Sequence, residues 1–250
     1  MNPGYDNQPS FMRDSRSFLF SSNRDGAQTD IYRYWISDGK TTQVTATTEP
    51  EYSPTLAPAG TSFTVIQVEP DNAQRLKMFD LSGKLIALVS HPDEKGVGYH
   101  AWIDPETLML FIVGQPSRLV RYRPGAVDVE EVATSIGRSL VAIPNSNAVS
   151  FTTRDDRGTW WFKRYDAATR QITTIAQAPE GGDGEPYASW SRNRTMFTAA
   201  GTKIFSRRAG DRDWTFLGDL SAAPIRNISR LAVSPDGRWL AFVADPAQSE

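Results

Sequence analysis

Apolar and polar positions alternate with a period of two over short runs, and each run stops at Asp, Asn, Gly or Ser. In PSFMRDSRSFLFSSNRDGAQTDIYRYWISDGKTTQVT, residues 9–45, this pattern predicts strands at 9–12, 17–22, 30–36 and 41–45. β-Branched and aromatic runs bounded by turn-forming residues are strand and hairpin signals. Such a four-stranded unit has two apolar faces and cannot cover both alone. It needs neighbours of its own kind.

The rest of the chain supplies them. A hairpin whose second strand carries an aromatic or β-branched residue recurs as RDSRSFLF, PAGTSFTV, PETLMLF, PNSNAVSF, RNRTMF and SPDGRWLAF. The last residues, Phe20, Val65, Phe111, Phe151, Phe197 and Phe242, follow one another at steps of 45, 46, 40, 46 and 45. Four strands at such a period are a propeller signature. The expectation is an all-β chain, one β-propeller domain over 1–250. Its six blades of four antiparallel strands fall at about 9–45, 53–89, 99–132, 138–176, 187–218 and 229–245. In the sixth, strands are predicted at 231–233 and 238–244 before DPAQSE, so the last blade is expected to be incomplete. Adjacent Trp160 and Trp161 point to opposite sides of a strand and are expected to pack one on each adjoining blade.

Composition narrows the function classes. Hydrophobic residues at 39% and aromatics at 11% suffice for a packed core. A net charge of -2 offers no basic footprint for nucleic acid, and no apolar run is long enough to span a bilayer. The chain has no cysteine, which removes disulfides, thiolate catalysis and cysteine-based zinc sites. MNPGYDNQPS has neither a basic nor an apolar leader segment. The chain is therefore expected to be cytoplasmic or to start after a removed leader, and a monomer is expected.

SPDGRWLAF at 234–242 and SSNRDGAQTDIYRYWISDGKTTQVT at 21–45 resemble the WD40-like repeats of TolB-type propellers. The similarity extends over nearly the whole chain, with the strongest motifs in the first and last units. It implies a six-bladed propeller in an exported, periplasmic setting, without the α/β domain that precedes the TolB propeller. Prolyl-oligopeptidase-like enzymes carry similar propellers ahead of a hydrolase domain, and the expectation here is a propeller without one.

Candidate chemistry lies where segments enter the first strand of each blade, since those entries gather at one mouth of a propeller channel. They hold Asp6, Asn7, Glu49, Glu51, Tyr52, Tyr99, His100, Arg138, Glu185, Tyr187, Asn227 and Arg230. Convergent polar and aromatic groups at a concave site are the default binding site. The plainer alternative is a set of solvated loops whose polar residues end strands. Asp6, Glu49, Glu51 and Glu185 are candidates to hold calcium, which takes six or more oxygens. Two histidines cannot make a three-His site. His91 is expected to be exposed, and His100, placed beside acids, to hold its proton more strongly. A nucleophile elbow and a phosphate-binding glycine loop are both missing. Two functions stay open. One is a non-catalytic propeller that binds a protein, peptide or envelope-derived ligand at the channel mouth, with Arg138 as anchor. The other is a propeller enzyme of hydrolase, lactonase or lyase type with a metal-assisted site there.

Overall fold

The structure, a computed structural model, describes residues 4–26, 28–182 and 184–247. It is all β, as the alternation predicts. Two compact units divide the chain at Thr134 and Ser135.

The first unit contains three four-stranded antiparallel sheets in sequential order. The first sheet is β1 (Asp6–Phe11), β2 (Ser17–Ser22), β3 (Asp30–Trp35) and β4 (Thr41–Gln43). The second is β5 (Glu51–Leu56), β6 (Ser62–Val68), β7 (Gln74–Asp80) and β8 (Leu85–Leu88). The third is β9 (Val97–Asp104), β10 (Thr107–Ile112), β11 (Arg118–Tyr122) and β12 (Glu130–Thr134).

The second unit repeats the plan. Its sheets are β13 (Ile136–Ile143) to β16 (Gln171–Gln177) through β14 (Ala148–Arg154) and β15 (Trp160–Asp166), then β17 (Ser189–Trp190) to β20 (Thr215–Asp219) through β18 (Met196–Ala200) and β19 (Lys203–Arg207). A last pair, β21 (Ile225–Val233) and β22 (Leu240–Pro246), stands as a two-stranded sheet. These are the blades of a β-propeller. Five are complete, and the sixth has two strands among the described residues, in line with the incomplete last blade expected from the sequence.

Burial follows strand position within a blade. Every residue of β10 is buried, and all but the last of β6; all four residues of the outer strand β8 are exposed. A second strand is covered on both faces by neighbouring sheets, so its sequence reads as a continuous apolar run. Phe63, Val65 and Phe79 form one core cluster with Leu19 and Ile31, and Leu108, Leu110 and Val120 another with Ile66 and Leu76. Each spacing marker from Phe20 to Phe242 falls in the second strand of its sheet. Phe242 alone among them is largely exposed, at 40%, on the two-stranded sheet.

Two boundaries differ from expectation. The sixth hairpin turns over residues 234–239, where Ser234 N–H and Trp239 C=O bond at 2.9 Å and Asp236 accepts from Ser234 Oγ at 2.6 Å. Arg238 and Trp239 therefore belong to the turn, and the strands run longer at their other ends. The first strands also begin early. β1 carries a bulge between Asn7 and Ser10 with Gln8 at φ 59, and β5 one between Tyr52 and Thr55 with Ser53 at φ 54. A bulge absorbs an extra residue and lets pairing continue beyond it. So Asp6, Asn7, Glu51, Tyr52, Tyr99, His100, Arg138 and Arg230 lie within strands, not in entry loops.

Candidate functional site

The candidate residues divide between the units. In the first, Asp6 pairs with Arg24 at 3.0 Å, and Asn7 Oδ1 accepts from the Gln8 amide at 2.8 Å. Tyr52 meets Tyr5 edge-on at 6.1 Å, and Tyr99 meets Phe111 at 5.7 Å. Glu49 is half-buried, and its carbonyl accepts from Thr47 Oγ1 at 3.0 Å.

Glu51 is fully buried. Its carboxylate accepts from Thr45 Oγ1, from Thr47 Oγ1 at 2.6 Å and from Gln67 Nε2 at 3.1 Å. Desolvation raises its pKa, opposed by these three donors. Thr45 and Thr47 follow β4 and Gln67 lies on β6, so the carboxylate joins the first blade to the second.

His100 overturns one expectation. It is 5% exposed, and Nε2 lies 2.7 Å from Thr64 Oγ1, which also accepts from Trp102 Nε1 at 3.1 Å. Burial lowers its pKa to about 3, so the ring is neutral and holds its proton less strongly than a free imidazole. Burial is the cause, with no charged neighbour among the described residues contributing to the shift. His91 is half-buried, its ring edge-on to Tyr122 at 6.0 Å. Of the carboxylates proposed for calcium, Asp6 and Glu51 accept from donors within the first unit and Glu185 from donors within the second. Among the described residues, no group of three or more His, Asp or Glu comes together.

The second unit gathers its candidates around a cleft of about 390 Å³ lined by Arg138, Trp160, Glu185, Tyr187, Asn227 and the glycines of 181–184 that are described. Asp183, within the GDGEPYAS segment, lies outside the described residues. The Glu185 side chain is 7% exposed. Oε1 accepts from Thr152 Oγ1 at 2.6 Å and from the Ser139 amide at 2.9 Å, while Oε2 faces Arg138 Nε at 3.3 Å. Arg138 keeps 56% of its side chain exposed. Behind the pair, Gly137 is required by space. A Cβ there would lie 2.3 Å from both Glu185 Oε1 and Thr152 Oγ1. Arg230 does not line the cleft; its guanidinium lies over the Tyr187 ring at 4.0 Å and donates to its hydroxyl at 3.2 Å.

Sequence reasoning missed Gly137 and Thr152 as site residues, and assigned Trp160 to blade packing in preference to a ligand platform. A glycine inside a strand marks a close approach, and that signal was present between Ile136 and Arg138. Trp160 lines the cleft, whereas Trp161 donates to Asp155 at 2.9 Å within its own blade.

No family model matches the sequence, and no curated protein matches it. Solved structures do. TolB from Acinetobacter baumannii superposes with a TM-score of 0.63 at 13% identity, over 98% of this chain and 56% of that one. The chain thus spans little more than half of that protein's length. A protein described as a candidate TolB from Agrobacterium tumefaciens gives 0.73 at 12% identity, over 98% and 92%. A gluconolactonase from Xanthomonas campestris gives 0.72 at 8% identity, over 97% and 84%. At these identities the likeness defines the fold, a TolB-like β-propeller.

Proposed function

We propose that this propeller is a non-catalytic binding module, exported to the periplasm, that engages a protein, peptide or envelope-derived ligand at the cleft of its second unit. One observation carries the reading. Arg138, exposed and backed by a nearly buried carboxylate, stands in the same cleft as Trp160, Tyr187 and Asn227. A guanidinium fixed at Nε keeps its outer N–H groups in a planar fork that matches a carboxylate. The aromatic rings offer apolar contact beside it. A peptide chain end, which combines a carboxylate with side chains, fits this chemistry.

The test is titration with the peptide Gly-Ala-Phe as free acid and as C-terminal amide, followed by NMR shifts. The free acid is expected to shift Arg138 and Tyr187 resonances, the amide to do so at least about tenfold more weakly, and Arg138→Ala to abolish the effect. Equal binding of acid and amide, or binding unchanged by Arg138→Ala, contradicts the proposal. Catalysis at the same cleft, the reading suggested by the fold likeness to a gluconolactonase, would require Glu185 as the acid or base. Turnover of lactone or ester substrates lost in Glu185→Gln would favour it.

A further inference from the structure

The opposite end of the same blades carries a second pocket, of about 310 Å³. Arg164, Arg194, Arg207 and Arg208 line it, and no carboxylate does. Its floor is apolar, with Met196 1% exposed, Ile175 beside it, and Trp190 held by an Nε1 bond to Ser150 Oγ at 2.8 Å. Arg164 is paired with Asp166. Among the described residues, no acid lies within ion-pair distance of Arg194, Arg207 or Arg208. Arg207 donates to the Arg212 carbonyl at 3.0 Å and lies over the Trp214 ring at 5.9 Å. The folded chain thus engages Arg164 and Arg207, and Arg194 and Arg208 are the two that line the apolar floor without such a side-chain partner among the described residues.

A turn places one of these arginines at the pocket. The turns that join the first two strands of four blades close with the same bond, from the N–H of the fourth residue to the carbonyl of the first: Ser15 to Met12, Gly60 to Ala57, Arg194 to Ser191 and Gly237 to Ser234. The fourth residue is left-handed in each, at φ 57, 79, 62 and 73. Glycine takes that conformation without penalty, and a long side chain does not. The fifth blade places arginine where two sister turns place glycine, and that arginine lines the pocket. The first blade has Ser15 at the same position, so the turn accepts a side chain there, and the fifth blade uses that allowance to aim an arginine at the pocket.

We propose that this pocket binds an amphipathic organic anion, an aromatic or branched aliphatic group bearing a carboxylate, with the apolar part on Trp190 and Met196 and the carboxylate held by Arg194 and Arg208. The volume suits one side chain-sized group. Fork-shaped guanidinium donors match the carboxylate. Such a ligand is either a free acid or the last residue of a peptide.

The experiment compares 3-phenylpropanoate, 3-phenylpropanamide and the peptide Gly-Gly-Phe by calorimetry and NMR on the full chain and on Arg194→Gly and Arg208→Ala. The acid is expected to bind and to shift Trp190 and Met196, with the amide at least about tenfold weaker. Binding of Gly-Gly-Phe well above the free acid at this pocket would name a chain end as the source, and comparable binding a free acid. Arg194→Gly is expected to weaken binding about tenfold while leaving the melting temperature equal or higher, since glycine suits the turn. A lowered melting temperature would show that Arg194 is structural and overturn the proposal. So would equal binding of acid and amide, or binding insensitive to both substitutions. Neither variant touches the Arg138 cleft, so the outcomes at the two sites are read separately.

Discussion

Glu51 and Glu185 both stand at the entry to a blade's first strand, and both tie that blade to the one before it. Their surroundings differ. Glu51 is closed in by Thr45, Thr47 and Gln67, with no exposure. Glu185 gives one oxygen to Thr152 and the Ser139 amide and turns the other toward Arg138 and a cleft. The same local device therefore serves as a buried clamp in one unit and as the back wall of an open cleft in the other. What changes the role is the neighbour on the second oxygen. Hydroxyl and amide donors satisfy Glu51 within the core, whereas an exposed guanidinium leaves Glu185 connected to solvent and to any ligand that reaches it.

The largest effect should come from removing the closed clamp. Glu51→Ala leaves buried donors on Thr45, Thr47 and Gln67 without an acceptor, and is expected to cost about 3 kcal/mol in urea unfolding. A loss as small as that of a surface substitution would show that water enters and that the two carboxylates are alike.

The first unit is closed around His100 as well, and pH tests this. Its folded pKa, lowered to about 3 by burial, lies below that of the unfolded chain. Between the two values the unfolded state binds the extra proton. Stability is therefore full above about pH 6.5 and falls as pH drops toward 3, by about 2 kcal/mol at pH 5 from this group. His100→Gln is expected to flatten that part of the profile. An unchanged slope would place the titration elsewhere.

At the open clamp, Gly137→Ala drives a methyl group into Glu185 Oε1 and Thr152 Oγ1. An expected loss of about 2 kcal/mol comes with weakened peptide binding, because Arg138 loses its partner. Arg138→Ala should be the mildest, within about 0.5 kcal/mol, as an exposed ion pair contributes little. A large destabilisation would make Arg138 structural and remove the contrast.

Much of this was legible before the structure. The regular return of Phe20, Val65, Phe111, Phe151, Phe197 and Phe242 marks second strands because those strands are covered on both faces and must be apolar. Boundaries were harder. Polar Asp6, Asn7 and Glu51 read as entry loop, yet ladder pairing uses backbone groups and continues through a bulge whatever the side chain. The pairing of Arg138 with Glu185, 47 residues apart, has no local signature. His100 was misjudged for the same reason, since the Thr64 and Trp102 that bury it come from long-range packing. Gly137 could have been read as a close approach, but not to which group.

The contrast between the two carboxylates is tested most directly by carboxyl ¹³C NMR of the glutamate side chains during titration with free-acid Gly-Ala-Phe. The Glu185 resonance is expected to move with saturation while the Glu51 resonance stays fixed. Movement of both together, or of neither, would contradict the account.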